Sequence, residues 1–334
     1  MKRSLTILLI ILLLASCGIF APRTDGTFGI YMLKDKTLSI YNDLGDAYLS
    51  KALDSVAVLT SKDIDYYDWS SHCIYLKTDK GEINERLLDT NGLLFKYPGA
   101  PFVVTSDGEA QYYGYFYSLI MSIAAATPSI NEMSLIYYPE DVLSIGRSWT
   151  NDDLDTRNNE NVKQALIDAG LFHAGISVAV DTLFGLKFYP LSSDTMQMEY
   201  RFSITNNDQY ALYVLDPDKI GTDLFFYFNT APSIVNLDNN DFLRPNHQFD
   251  ISMTPDTSDF DDLNWYTLLS PGETMVRTVR TGQYANVTAG RLEFDLRYGT
   301  PINTLSKSRR NKLLGRIWIG ETQSPKYVVN YTPF

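Results

Sequence analysis

Short runs of β-branched and aromatic residues, separated by turn signals, recur along the second half of the chain. Their spacing predicts strands at 176–183, 196–205, 212–215, 224–228, 265–268, 274–279, 292–296, 316–319 and 327–329. The string EYRFSITNND alternates between polar and apolar residues and ends in an Asn-Asn-Asp turn. The string LLSPGETMVRTV places a Pro-Gly turn before a strand. Such spacing is typical of two packed antiparallel sheets. We therefore predict a β-sandwich over residues 171–334.

The first half of the chain has a mixed pattern. It predicts strands at 28–33, 55–59, 72–77, 101–105 and 112–118, and helices at 44–52 and 79–88. Asp107 and Gly108 stand between two apolar runs and predict a two-residue hairpin turn, because both central positions of that turn need positive φ. Residues 26–147 are thus expected to form an α+β domain, and the whole chain to be mainly β with α+β.

A polar stretch separates these two regions. Asparagine and aspartate dominate residues 151–159, which is typical of a linker. Asn158 is placed to cap a helix that runs to Ala169, with Gly170 as its stop. We expect residues 148–170 to be a linker with a helix that packs beside the second domain.

Composition narrows the class of function. The 334 residues include 23 tyrosines, 17 phenylalanines and 4 tryptophans, a content that suits half-buried strands. The formal net charge of −12 opposes adhesion to nucleic acid, so a nucleic-acid partner is not expected. With two cysteines in the chain, a disulfide framework is not expected either.

The N-terminus has the layout of a secretory signal. Lys2 and Arg3 precede an apolar run over residues 5–14, which is too short to span a bilayer. Small residues follow in the order Leu14-Ala15-Ser16-Cys17. We interpret residues 1–16 as the signal peptide and residues 17–25 as a flexible tether.

The string Leu14-Ala15-Ser16-Cys17 resembles the processing site of bacterial lipoproteins. The resemblance implies that Cys17 receives acyl chains such as palmitate, becomes the first residue and holds the protein to a lipid bilayer. Gly18 at the next position favours the outer membrane, and the absence of an acidic run after Cys17 favours a protein that faces the periplasm. The cell envelope is therefore the expected location.

Two further resemblances concern architecture. The order strand, helix, strand, hairpin, ending in PFVVTSDGEAQYYGYFYS, is similar to the first periplasmic head domain of the SecD export factor and implies an α+β fold. The strings EYRFSITNND and LLSPGETMVRTV resemble immunoglobulin-like sandwiches of envelope proteins and, at those two places, the Bacillus intracellular proteinase inhibitor family.

No residue pattern predicts catalysis. His72 and Cys73 are neighbours on a predicted strand, where side chains point to opposite faces and cannot share a proton. His173 is interpreted as structural, and the three histidines lack the spacing of a metal site. We expect no catalytic residues, no cofactor and no metal; a carboxylate pair such as Asp223 with Glu199, or Asp63 with Asp65, remains open.

Aromatic residues are the best candidates for ligand binding. Tyr113, Tyr115 and Tyr117 share one face of a predicted strand, and the string YYDWSSH is expected to add Trp69 near this strand. A row of rings can stack on a sugar or an extended peptide, although core packing is the alternative. We predict a noncatalytic envelope protein that binds a protein or polysaccharide. The alternatives are a glycan hydrolase with paired carboxylates and a protease inhibitor presenting the loop at 256–264.

Overall fold

Strands dominate the structure. The computed structural model describes residues 27–118, 120–122, 126–147, 155–181, 187–192, 195–229, 232, 234–245, 263–300 and 306–332. The content is 41% strand and 19% helix, which confirms the mainly β with α+β prediction. The signal, the tether and Cys17 lie outside the described residues, as do residues 148–154 of the polar stretch and most of the loop at 256–264.

The first half of the chain forms two sheets. Its strands are β1 (Phe28–Met32), β2 (Leu59–Thr60), β3 (Ile64–Asp68), β4 (Cys73–Leu76), β5 (Pro101–Ser106), β6 (Glu109–Tyr117), β7 (Ser129–Asn131), β8 (Val142–Ser144) and β9 (Phe172–His173). Its helices are α1 (Gly81–Leu87), α2 (Glu132–Ile136) and α3 (Glu160–Asp168). One sheet has the order β2-β1-β5-β6-β7 and the other β8-β4-β3-β9.

The predicted hairpin is present between β5 and β6. Asp107 and Gly108 have φ of 51° and 84°, as the turn requires. The helix expected at 44–52 is a 3₁₀ segment at Gly45–Ser50. The strand expected at 55–59 is wrong for most of its length, since only its last residue enters β2.

Short sheets around a common core make up the second half. Its strands are β10 (Ile176–Val180), β11 (Lys187–Ser192), β12 (Thr195–Asn206), β13 (Leu212–Leu215), β14 (Ile234–Asn236), β15 (Asp241–Leu243), β16 (Tyr266–Leu269), β17 (Thr274–Ala285), β18 (Gly290–Phe294), β19 (Arg297–Gly299), β20 (Arg316–Ile317), β21 (Glu321–Gln323) and β22 (Tyr327–Tyr331). Its helices are α4 (Pro217–Ile220), α5 (Thr222–Phe228) and α6 (Lys307–Arg310). The longest pairing joins β12 to β17, and β12 alternates between buried and partly exposed residues as its sequence predicts.

The strand predicted at 224–228 is wrong, because α5 occupies these residues. Asp216 caps α4 by accepting a hydrogen bond from the Asp218 N–H, and Pro217 begins that helix. Gly221, with φ of 87°, then turns the chain directly into α5. The sequence of this apolar run does not distinguish a strand from a helix. A short run of buried aromatic residues shows neither a clear period of two residues nor a clear period of 3.6.

The helix α3 also differs from expectation. Its cap is Asn159, whose side-chain oxygen accepts from the N–H groups of Asn161 and Val162, and not Asn158. Gly170, with φ of 70°, follows its end as predicted. The helix does not pack beside the second half of the chain: Val162 and Leu166 are buried in the core of the first half.

The strand β4 is buried on both faces. Ile74 and Leu76 belong to the core of the first half, while Cys73 and Tyr75 belong to the core of the second half. Because side chains alternate across a strand, one face of β4 packs in the first core and its other face packs in the second core. Among the described residues, no helix is long and apolar enough to cross a membrane.

Candidate functional site

A cleft of about 500 Å³ opens beside β6. This volume is in the range of small-molecule sites. The residues that line it come from the 3₁₀ segment, β6, the approach to β7 and the approach to α3: Asp46, Leu49, Gln111, Tyr112, Tyr113, Ala126, Thr127, Pro128, Arg147, Asp155, Thr156, Asn158 and Asn159. Tyr113 is the one predicted site residue among them.

The two faces of β6 are as predicted. Tyr112 and Phe116 enter the main core of the first half. Tyr113 and Tyr115 face a smaller cluster that the 3₁₀ segment covers with Tyr48. The Tyr113 ring packs against the Tyr48 ring with centroids 5.2 Å apart, and its remaining surface is partly exposed at the cleft.

The predicted row of exposed rings is not present. Tyr115 is 3% exposed and Tyr117 is 8% exposed, so neither ring can stack on a ligand. The 3₁₀ segment covers Tyr115, and the Tyr117 hydroxyl donates to the backbone carbonyl of Met121 at 3.4 Å. Of the three tyrosines, only Tyr113 keeps accessible surface in a cleft.

Trp69 lies in a different place. It follows β3 and packs at the edge of the core beside His72 and Phe172, with ring centroids 5.2 and 5.9 Å away. The Lys163 ammonium lies 5.9 Å from the centroid of its ring. Trp69 is absent from the lining of the cleft, so the structure does not bring it together with Tyr113.

The cleft wall opposite β6 is built by the start of α3. Asn159 caps this helix, which fixes the backbone on which Asn158 and Asn159 face the cleft. Asn161 in the first turn donates from its amide to the Gln111 side-chain oxygen at 2.9 Å. This hydrogen bond holds the helix start and β6 at a set separation.

An ion pair fixes the segment that leads into this helix. The Arg157 guanidinium donates through Nε to Asp155 at 2.9 Å and through Nη1 to the Ile145 carbonyl at 2.7 Å. Burial opposes ionisation of Asp155, but Arg157 more than offsets it and lowers the pKa of this carboxyl to about 2. Asp155 therefore stays ionised at neutral pH with its charge compensated.

Buried polar groups lie behind the cleft. The Tyr67 hydroxyl and His72 Nδ1 are 2.9 Å apart, and burial holds the pKa of His72 well below its ordinary value, so the ring is neutral. Tyr112, which lines the cleft, is 4% exposed, and its side chain interacts with that of Tyr67 in the core.

Arg147 connects the cleft to the second half of the chain. Its guanidinium donates to the Gln323 side-chain oxygen, and the Gln323 amide donates to Asp295. Burial raises the pKa of Asp295. No local sequence pattern predicts these contacts, because the three residues are far apart along the chain and of common types.

The other chemical candidates do not form a site among the described residues. Cys73 is fully buried, and burial raises the pKa of its thiol to about 12, so it is not a nucleophile. It belongs to the second core, whereas His72 contacts Tyr67 and Trp69 on the other side of the strand. Neither proposed carboxylate pair lines the cleft: Glu199 forms an ion pair with Arg280, and Asp63 accepts hydrogen bonds from Thr60.

His173 is structural, as its sequence context suggested. Its Nδ1 lies 3.0 Å from Asp208, and its ring stacks on Tyr210. The Arg316 guanidinium lies between the rings of Tyr66 and Tyr210, 4.2 and 4.0 Å from their centroids. These contacts join β3 and β9 of the first half to β20 of the second. No group of three or more potential metal ligands occurs in the part of the chain that the structure describes.

Comparison with known proteins assigns no family. No protein-family model matches the chain, and no curated protein matches it.

Proposed function

We propose that this chain is a lipid-anchored envelope protein that binds a neutral saccharide in the cleft beside β6, without catalysis. The observation that carries the proposal is the composition of the cleft. One partly exposed tyrosine ring lies among amide and carboxylate groups: those of Asp46, Gln111, Asn158 and Asn159. A saccharide offers an apolar ring face to the tyrosine and hydroxyl groups to the polar side chains.

Charge balance supports a neutral ligand. Arg147 brings one positive charge to the cleft, Asp46 one negative charge, and the charge of Asp155 is compensated by Arg157. A phosphate or a carboxylate would need unopposed positive charge, and the charge of Arg147 is balanced by that of Asp46 in the same lining.

The ionisation of Asp155 supports binding over hydrolysis. A glycosidase needs a carboxylic acid that keeps its proton near neutral pH, which requires a raised pKa. Asp155 has the opposite shift, because Arg157 stabilises its charged form. The inhibitor alternative has no support from the described residues, because the loop at 256–262 lies outside them.

The remaining parts of the proposal concern architecture and location. The sheets around the second core are compatible with a variant of the immunoglobulin-like sandwich. The sequence Leu14-Ala15-Ser16-Cys17 supports acylation and attachment to the outer membrane. Envelope glycans are the saccharides that such a location offers.

Calorimetric titration tests the function. The full chain, purified in detergent, is titrated with cellobiose, maltose and di-N-acetylchitobiose. We expect saturable binding of at least one of them. Tyr113→Ala should weaken it roughly fivefold, for the loss of about 1 kcal/mol of ring contact.

The control variant is Tyr137→Ala, which removes a tyrosine that is 52% exposed and does not line the cleft. It should bind as the wild type does. Absence of heat with all three sugars, or equal weakening by both variants, would refute saccharide binding in this cleft.

A further inference from the structure

A basic loop begins at α6. Five of the ten residues 307–316 are basic and none is acidic, in a chain whose formal net charge is −12. Lys307 and Arg310 both pair with a single carboxylate, that of Asp141. Lys312 is exposed to solvent. The loop is therefore a positively charged stretch on an acidic protein.

Leu314 projects from this loop. It is 90% exposed, more than any other large apolar side chain of the described residues. The backbone on either side of it is held in place. Leu313 packs against the second core, and a side chain at Gly315 would lie 2.6 Å from the Ala211 carbonyl. A single exposed leucine is common on protein surfaces, so its neighbours decide whether it has a role.

An aromatic ring and a second cation lie beside Leu314. The Arg316 N–H donates to the Ala211 carbonyl at 2.9 Å, which places Tyr210 next to the loop. The Arg316 guanidinium lies 4.0 Å from the centroid of the Tyr210 ring, and Tyr210 is still 43% exposed. Segments that rest on a bilayer combine apolar side chains with lysine and arginine, and tyrosine is enriched at the level of the headgroups. We call Tyr210, Lys312 and Leu314 the contact face.

Hydrogen bonds connect this loop to the start of the described chain. The Ser61 N–H donates to the Phe28 carbonyl at 2.9 Å. The ammonium of Lys77 donates to the carbonyl of Lys62, the next residue after Ser61, at 2.8 Å. The Lys307 ammonium donates in turn to the Lys77 carbonyl at 2.8 Å. The first strand and the basic loop therefore lie on the same side of the molecule.

The length of the chain before β1 allows the loop to reach a bilayer. Ten residues separate Cys17 from Thr27, and ten residues span at most about 35 Å. Acyl chains at Cys17 would hold Thr27 within this distance of the lipid. Because an anionic lipid surface repels an acidic body and attracts a basic one, the basic loop is the part that such a surface draws closer.

We propose that the contact face docks on the bilayer that holds the anchor, with Leu314 and the Tyr210 ring among the headgroups and Lys312 beside the lipid phosphates. The inference goes beyond saccharide binding and rests on the lipid anchor of the proposed function. Docking would give the tethered body one orientation on the membrane.

Fluorescence quenching on the lipidated full chain tests the docking. Leu314→Cys introduces a thiol for an environment-sensitive label, since Cys73 is buried and Cys17 is acylated under the proposal. The labelled protein is placed in vesicles of phosphatidylethanolamine and phosphatidylglycerol that contain a lipid with a nitroxide headgroup. We expect quenching about threefold stronger than for a label on Val328→Cys, because only the first label should lie among the headgroups. Val328 is 53% exposed and belongs to β22, in a different sheet from β13 and β20 beside the contact face. Equal quenching of the two labels would overturn the docking.

A charge reversal tests the role of the basic loop. Lys312→Glu, combined with Leu314→Cys, should lower the ratio of docked to undocked protein roughly fivefold on these anionic vesicles. Lys51→Glu is the control, since Lys51 is an exposed lysine that follows the 3₁₀ segment, outside the basic loop. It should leave the quenching unchanged. The same loss in both variants would show that total charge, and not the contact face, governs the approach.

Flotation with neutral phosphatidylcholine vesicles separates failure of the docking from failure of the anchor. A chain that does not float lacks the anchor, which refutes both. A chain that floats while its label on Leu314→Cys stays unquenched in the anionic vesicles refutes the docking alone. A blue shift of this label that grows with protein concentration, without quenching by the nitroxide lipid, would assign the contact face to a second copy of the chain and overturn the lipid assignment.

Discussion

At the scale of single residues, the cleft depends on how a buried charge is compensated. The side chains of Asp155 and Arg157 are only 13% and 9% exposed. The two residues are two positions apart in a polar stretch whose composition predicts a linker. The sequence predicted neither the pair nor its role. Asparagine and aspartate favour many local conformations, so the pattern alone does not indicate which of them become buried.

Arg157→Met should destabilise the protein by about 3 kcal/mol at neutral pH, because it leaves a carboxylate buried without its partner. Arg157 holds the pKa of Asp155 at about 2, below the ordinary value of 3.8. A depressed folded-state pKa contributes stability above about pH 4, and this contribution is lost as pH falls through about 2. The difference between variant and wild type should therefore shrink over this acid range.

Urea unfolding at several pH values measures this effect. Arg291→Met is the matched control, since the side chains of Arg291 and Asp238 are 57% and 47% exposed, and an ion pair so open to solvent contributes little to stability. Equal losses in the two variants, or a difference that does not depend on pH, would contradict the role given to Arg157.

At the scale of elements, local signals predicted the strands and the turn of β5 and β6 but not what covers them. The Asp107-Gly108 turn and the two faces of β6 follow from the residues alone, because alternation and positive φ are local properties. The burial of Tyr115 does not follow, since it requires the 3₁₀ segment at Gly45–Ser50, over sixty residues away. The same absence of long-range information explains the error at α5.

Gly114 determines how close β7 approaches β6. A side chain at this position would overlap the buried Phe102 ring and the carbonyl of Pro128, a residue that lines the cleft. We expect Gly114→Ala to destabilise the protein by about 2 kcal/mol and to displace Pro128. Thermal unfolding and the sugar titration measure the two effects.

Gly146→Ala is the control for this prediction. Gly146 is bonded to Ser129 at the start of β7, but an added Cβ would meet the Ser129 carbonyl at 3.4 Å, an ordinary contact. This variant should keep wild-type stability within about 0.5 kcal/mol. Normal stability and binding in Gly114→Ala would show that the cleft does not need this close approach.

At the scale of the whole molecule, the two halves of the chain, which the sequence predicts as separate domains, share one strand between their cores. The strand β4 contributes to both cores, and Arg316 lies between rings from each half. The chain of contacts from Arg147 through Gln323 to Asp295 adds a link from the cleft itself. These contacts connect the cleft to the cores of both halves of the chain.

The lipid anchor completes the proposal, and it depends on Cys17. Two signals, such as a pair of acyl chains, are needed for stable attachment, because one chain gives only reversible binding. In the host cell, Cys17→Ser should abolish incorporation of a palmitate analogue and move the protein from the membrane fraction to the soluble fraction, or stall its maturation. Cys73→Ser is the control: Cys73 is buried in the folded protein, so label and membrane attachment should be unchanged. Membrane fractionation of Cys17→Ser identical to that of the wild type would refute the anchor, and saccharide binding would then have to be explained for a protein that is not held at the envelope surface.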